Sequence, residues 1–160
     1  MEAKVPKHIR VYALAIDGAY AYEGEIINEA GQCERRFEGA AKLPRSGKTH
    51  QRDTITAIRA ALEHCAKFDS DGTSRIAILT NLEGHAKAWR YGADFWTVRG
   101  KFLKQDGTPL ANADLWACVL EHNKRTPLDI KFVRNSDLQM RILKDKAAEL
   151  RDREEQCEAA

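Results

Sequence analysis

Ile9-Arg-Val-Tyr-Ala-Leu-Ala-Ile-Asp17 is the first strong pattern in the chain, rich in β-branched and aromatic residues and closed by Asp17-Gly18. That composition over so few positions predicts a central strand with a carboxylate at its end. Tyr20 to Ile27 reads as a second strand, Asn28-Glu-Ala-Gly31 as a turn, and Gln32 to Lys42 as a third strand, together an antiparallel meander. Pro44-Arg-Ser-Gly47 breaks it. A helix starts near His50 to Asp53, because Ile55, Ile58, Leu62 and Cys65 recur at steps of 3, 4 and 3 and form one buried stripe. Asp69-Ser-Asp-Gly-Thr73 is a loop and Arg75 to Thr80 a buried strand, so the chain crosses over onto its sheet.

Further on, Leu82 to Tyr91 and Phe95 to Gly100 predict two helices, followed by an extended loop over 101–112 that turns at Asp106-Gly107. A helix runs from Asn112 through Leu115, Trp116, Val119 and Leu120, then a strand over 128–134. The terminal helix, 136–153, places Leu138, Ile142, Ala147 and Leu150 on its apolar face; the charged run 151–156 reads as a solvated, fraying end. The order predicts an α/β domain with a mixed five-stranded sheet, an antiparallel edge turning parallel, and helices on both faces. Its expected limits are residues 9–153, with an extension over 1–8 and a tail over 154–160.

Composition narrows the classes. A chain of 160 residues is one ordinary domain and buries roughly 70% of its unfolded surface without staples. Lys and Arg number 26 against 24 Asp and Glu, a net charge of +2, which excludes a grossly basic tail and an acidic mimic. The apolar share of 43% and charged share of 31% are globular. Apolar runs are too short to span a membrane, and Met-Glu-Ala-Lys-Val-Pro-Lys-His lacks a secretory apolar stretch. The expectation is a cytoplasmic protein with no membrane partner. Cys33, Cys65, Cys118 and Cys157 are spaced by 32, 53 and 39, unlike any zinc pattern; they read as reduced thiols, with Cys65 and Cys118 in apolar positions.

Trp96-Thr-Val-Arg-Gly100, a loop, and Pro109-Leu-Ala-Asn112-Ala-Asp114-Leu-Trp116 carry a more specific signal. This segment resembles the basic handle of bacterial type 1 ribonuclease H, and a weaker similarity extends from about Arg10 to Leu150. The resemblance implies the ribonuclease H fold and a reaction that cuts the RNA strand of RNA–DNA hybrids with two divalent cations about 4 Å apart. Hard cations need oxygen ligands and charge neutralisation, hence a cluster of four carboxylates. Carried over by position, the cluster falls on Asp17, Thr54, Asn81 and Asp145, so two of the four are neutral.

Other acids lie nearby. Asp53 is about 100° around the helix from Thr54, and the Ile55/Ile58/Leu62 stripe favours Thr54 as the groove-facing position. Glu83 follows Asn81 by two residues. Arg134-Asn-Ser-Asp-Leu replaces the family's histidine loop, and Ala19-Tyr-Ala-Tyr-Glu23 its glycine-rich loop. A metal would rest on Asp17 and Asp145 and bind weakly or not at all; Mg²⁺ or Mn²⁺ is implied only for an active enzyme.

Binding features are better kept. Thr49, Arg52 and Asn112 match positions that hold a phosphate of the DNA strand or line the groove. Gln51 matches an asparagine that reads the minor groove and 2′-hydroxyls. Arg99, Lys101 and Lys104, with Trp96 and Phe102, form a basic-aromatic patch suited to a nucleic-acid backbone. The expected function is a ribonuclease H-like protein that binds an RNA–DNA hybrid or structured RNA, with cleavage lost or strongly reduced. The alternatives are an endoribonuclease with a non-standard site built on Asp17, Asn81, Asp145 and a rescuing acid, and a protein-interaction module on the same scaffold. The ordinary roles of these residues are a strand-end turn for Asp17, a helix start for Thr54, a cap for Asn81, a solvated helix face for Asp145 and core packing for Trp89, Trp96 and Trp116.

Overall fold

The computed structural model describes residues 8–45, 51–68, 74–104 and 106–159, with side chains up to 153. Its elements are β1 (His8–Ile16), β2 (Ala19–Ile27), β3 (Cys33–Lys42), α1 (Gln51–Ala66), β4 (Arg75–Thr80), α2 (Glu83–Arg99), α3 (Ala113–Arg125), β5 (Leu128–Phe132) and α4 (Leu138–Ala159). The five strands form one sheet in the order β3-β2-β1-β4-β5. β1 pairs antiparallel with β2, and β2 with β3, while the β1–β4 and β4–β5 pairs are parallel. This is the mixed sheet that the strand-helix order predicts. The expected 69–73 loop lies outside the described residues.

Alternation along β1 divides the core between the two faces of the sheet. Ile9, Val11 and Ala13 join Ile55, Ile58 and Leu62 of α1, Trp89 and Trp96 of α2 and Trp116 of α3. Leu14 instead joins Ala19, Ala21 and the α4 residues Met140, Leu143 and Ala147. Asp17 and Gly18 form a two-residue turn between β1 and β2. Gly18 has φ +101°, and a Cβ there would stand 2.9 Å from Cδ of Arg151.

Three helical details differ from expectation. α2 is one helix of 17 residues rather than two, because Gly92 is a packing site and not a break: a Cβ there would lie 2.3 Å from the Trp96 ring. It ends at Gly100, which takes the left-handed conformation and donates its N–H to the Trp96 carbonyl at 2.9 Å. α4 turns a different row inward, with Met140, Leu143 and Ala147 buried while Leu138 is 69% and Ile142 39% exposed. It also continues as helix over 154–159, the segment expected as a tail. The 101–112 loop is a small hairpin closed by a bridge between Leu103 and Pro109, in which Asp106 accepts bonds from the Thr108 N–H and hydroxyl. Cys65 is buried as expected, whereas Cys118 is half-buried. Among the described residues, no helix is long and apolar enough to cross a membrane.

Candidate functional site

The parallel pairing of β1 with β4 tests the expected carboxylate cluster. Its last partners are Ala13 and Thr80, so the next residues, Leu14 and Asn81, stand at the same level. Asp17 is three residues further on, a displacement of roughly 10 Å along the strand. It sits in the hairpin turn, where its backbone carbonyl accepts a bond from Arg151 Nη1 at 3.2 Å. Thr54 is fully buried at the start of α1 and its Oγ1 has no partner. Asn81 donates from Nδ2 to Oδ1 of Asn135 at 2.8 Å, while its own Oδ1 is buried without a partner. It does not cap α2; the residue at that cap is Leu82.

Asp145 is exposed. It lies two residues past buried Leu143, about 200° around α4, on the side away from the sheet. Of the nearby acids, Glu83 is paired with Lys87 at 3.2 Å, and Asp137 caps α4 by accepting the N–H groups of Gln139 and Met140. Asp17 therefore sits past the level of Asn81 along the strands, and Asp145 lies on the exposed side of α4. Among the described residues, no three His, Cys, Asp or Glu side chains gather to hold a metal ion. The neutral oxygens of Thr54 and Asn81 do not supply the anionic ligands that a pair of hard divalent cations needs.

The binding residues behave differently. Arg52 spans the starts of α1 and α3: Nη1 and Nη2 donate to the two carboxylate oxygens of Asp114 at 3.0 and 2.8 Å, and Nη1 also donates to Asn112 Oδ1 at 3.3 Å. The paired guanidinium holds the Asp114 carboxyl down to about 2, and the carboxylate in turn raises the Arg52 pKa. Asn112 adopts φ 62°, ψ 32°, a left-handed conformation that asparagine tolerates. Its carbonyl accepts the Leu115 and Trp116 N–H groups and starts α3. Thr49 lies outside the described residues.

A cleft of about 520 Å³ opens beside this junction, between the start of α1, α2, α3 and the 103–112 hairpin. Gln51, Trp96, Lys104 and Asn112 line it, so four of the expected binding residues converge. Sequence reasoning missed Lys87, Arg90 and Tyr91, which also line it. The signal was present in the spacing of two cations three residues apart on the helix predicted over Leu82 to Tyr91, but the cleft itself is made by the packing of α2 against the hairpin. Arg90, Arg99, Lys101 and Lys104 make no ion pair among the described residues. Arg99 and Lys101 flank the C-terminus of α2, where the helix dipole favours positive charge.

The tryptophans are structural. Trp96 and Trp116 are each 2% exposed. Trp89 and Trp116 stack at 6.2 Å, and Trp96 Nε1 donates to the Leu103 carbonyl at 3.1 Å, pinning the hairpin. His85 is buried at the back of the cleft with Nε2 2.8 Å from the Gln51 carbonyl. Burial lowers its pKa, only partly offset by that bond, so it is neutral at pH 7.

No family model matches the chain, and no curated protein matches it in sequence. Solved structures do match. LC9-RNase H1, a type 1 RNase H with the type 2 active-site motif, aligns over 94% of this chain and 75% of its own, with a TM-score of 0.68 and 15% identity. LC11-RNase H1, solved with an RNA/DNA hybrid, aligns over 92% of this chain and 97% of its own at a TM-score of 0.57 and 16% identity. The foamy viral protease-reverse transcriptase, also solved with an RNA/DNA hybrid, matches 93% of this chain at a TM-score of 0.62 and 15% identity, and this chain spans 21% of that longer one. The molecule is thus an α/β protein of the ribonuclease H fold. Its particular features are a cleft beside the Arg52–Asp114 junction and neutral residues, Thr54 and Asn81, at two of the four expected carboxylate positions.

Proposed function

We propose that this chain is a ribonuclease H-like nucleic-acid-binding protein that has lost hybrid cleavage. The observation carrying the reading is the contrast between two constellations. Gln51, Lys104 and Asn112, from three separate stretches, meet at one cleft, while two of the four expected carboxylate positions carry the neutral residues Thr54 and Asn81. The fold's neighbours supply the ligand class, since two of them were solved with RNA/DNA hybrids. Mg²⁺ or Mn²⁺ would supply a cleaving enzyme with water activation and leaving-group stabilisation; a binder needs neither.

Docking on a protein has one observation in its favour. α2 exposes Tyr91, Phe95 and Val98, by 61%, 41% and 80%, along one side.

Titrating labelled RNA–DNA hybrid, duplex RNA and duplex DNA at about 50 and 200 mM salt tests the proposal. Affinity for the hybrid or duplex RNA falls as salt rises. Replacing Arg99, Lys101 and Lys104 by alanine flattens the dependence of log K on log salt by about 0.9 for each phosphate that is no longer neutralised. No salt-dependent affinity for any of the three would leave the protein-docking reading standing. Incubation with Mg²⁺ or Mn²⁺ yields no cleavage. Cleavage that Asp17→Asn abolishes would overturn the loss.

A further inference from the structure

We infer that the cleft between α2 and the 103–112 hairpin receives one unpaired nucleotide, its base against the apolar wall and its phosphate at the rim formed by Arg90 and Lys104. The inference rests on the nucleic-acid reading above and specifies the form of nucleic acid that the protein selects.

Volume is the first argument. A regular duplex presents its backbone to a surface and needs no cavity, whereas about 520 Å³ falls in the range that encloses a small ligand. Two glycines of α2 line that space. Gly92 lies under the Trp96 ring, and a Cβ at Gly84 would meet nothing within 4 Å.

Chemistry is the second. Ala88, Leu103 and Leu110 contribute apolar wall, and Gln51 and Asn112 add two side-chain amides, groups that both donate and accept and so suit a base edge. With Asn112 Oδ1 held by Arg52, its Nδ2 donors remain for a ligand. Tyr91, 61% exposed, offers a ring face at the mouth. The buried tryptophans offer none.

Charge is the third. No acidic side chain lines the cleft among the described residues. Lys87 is engaged by Glu83, so Arg90 and Lys104 carry the positive charge at the rim. A flat, partly apolar ligand with an anionic group answers all three features. An aromatic side chain of a protein would fill the wall and leave the rim unanswered.

The test compares a fully paired RNA–DNA hybrid with the same hybrid carrying one looped-out 2-aminopurine nucleotide, read by fluorescence anisotropy and by 2-aminopurine emission. The full chain is expected to bind the looped-out form about tenfold more tightly and to shift its emission as the base leaves water. Gly84→Trp fills the open space, and the ratio between the two ligands falls to about one; Gly84→Leu, a smaller plug, lowers it in the same direction. Equal affinity of the unaltered chain for both ligands overturns the inference and leaves the nucleic-acid reading intact. A tenfold ratio that survives both Gly84 substitutions also overturns it, because the base would then sit elsewhere. Binding to neither ligand overturns both readings.

Discussion

Leu14 and Asn81 stand at one level at the open end of the β1–β4 pairing, one step past Ala13 and Thr80. Leu14 packs against Met140 and Leu143 of α4. The β1 residue beside Asn81 is therefore part of an apolar cluster, and the aspartate that resembles the family's first acid is displaced into a tight turn.

Restoring the two substituted positions is consequently insufficient. The double variant Thr54→Glu, Asn81→Asp adds two acids but leaves Asp17 in its turn, three residues past the level of Asn81. It is expected to show no magnesium-dependent cleavage of a labelled hybrid, and magnesium titration should leave the Leu14 and Asp17 amide resonances unmoved. Cleavage by this double variant would mean that Asp17 reaches the site, against the strand register.

The clasp between Arg52 and Asp114 carries a pH signature. Its folded-state value of about 2 lies below the ordinary aspartate value of about 3.9, so the linked stability is full above the ordinary value. It is lost as pH falls through about 4 towards about 2. Carbon NMR of the Asp114 carboxyl should titrate near the lower figure in the unaltered chain. Arg52→Lys removes the planar two-bond geometry and should move the midpoint up towards the ordinary range. An unmoved midpoint would mean that the guanidinium fork is not what holds the carboxyl down.

Two glycines on one helix should respond in opposite directions. A Cβ at Gly92 would collide with the Trp96 ring at 2.3 Å, and overpacking of this kind costs about 1–3 kcal/mol. Gly84 faces open space, so Gly84→Ala loses no packing and gains about 0.4–1 kcal/mol by restricting the unfolded chain. Urea denaturation of the two variants checks the sign of each.

Much of the sheet was legible because its punctuation is local. Asp17-Gly18, the 28–31 turn and Pro44 bound the first three strands, and β4 and β5 are short apolar runs. Features set by long-range packing were not. Gly92 looks like a helix break until Trp96 is seen to cover it. The α4 sequence offers two apolar rows, one through Leu138 and Ile142 and one through Met140 and Leu143, and only packing against Leu14 selects the second. Residue types and a motif placed Asp17 in the candidate site; that it sits in the turn, past the last β1–β4 pair, depends on the length of a hairpin and the register of two parallel strands. The cleft was half legible, since Gln51, Lys104 and Asn112 stood out by type, while Lys87, Arg90 and Tyr91 needed the packing of α2 against the hairpin.

Thr54 allows the loss of chemistry to be tested through stability. Its hydroxyl is fully buried and unpartnered, a state that costs about 1–3 kcal/mol relative to a satisfied group. Valine keeps the branched shape and removes the orphan oxygen, and since no hydrogen bond is lost, the usual penalty of Thr→Val is absent. Thr54→Val is expected to stabilise the fold by about 1 kcal/mol, raising the midpoint of thermal unfolding by about 2–4 °C. Hybrid affinity should stay within about twofold, a change smaller than one lost hydrogen bond would produce. An enzyme tolerates an unsatisfied polar group where a ligand satisfies it, so stability gained there ordinarily costs function. If Thr54 served a bound ion, Thr54→Val would weaken Mn²⁺ binding, read by electron paramagnetic resonance. Higher stability with unchanged Mn²⁺ and hybrid binding would identify the hydroxyl as a remnant without a ligand.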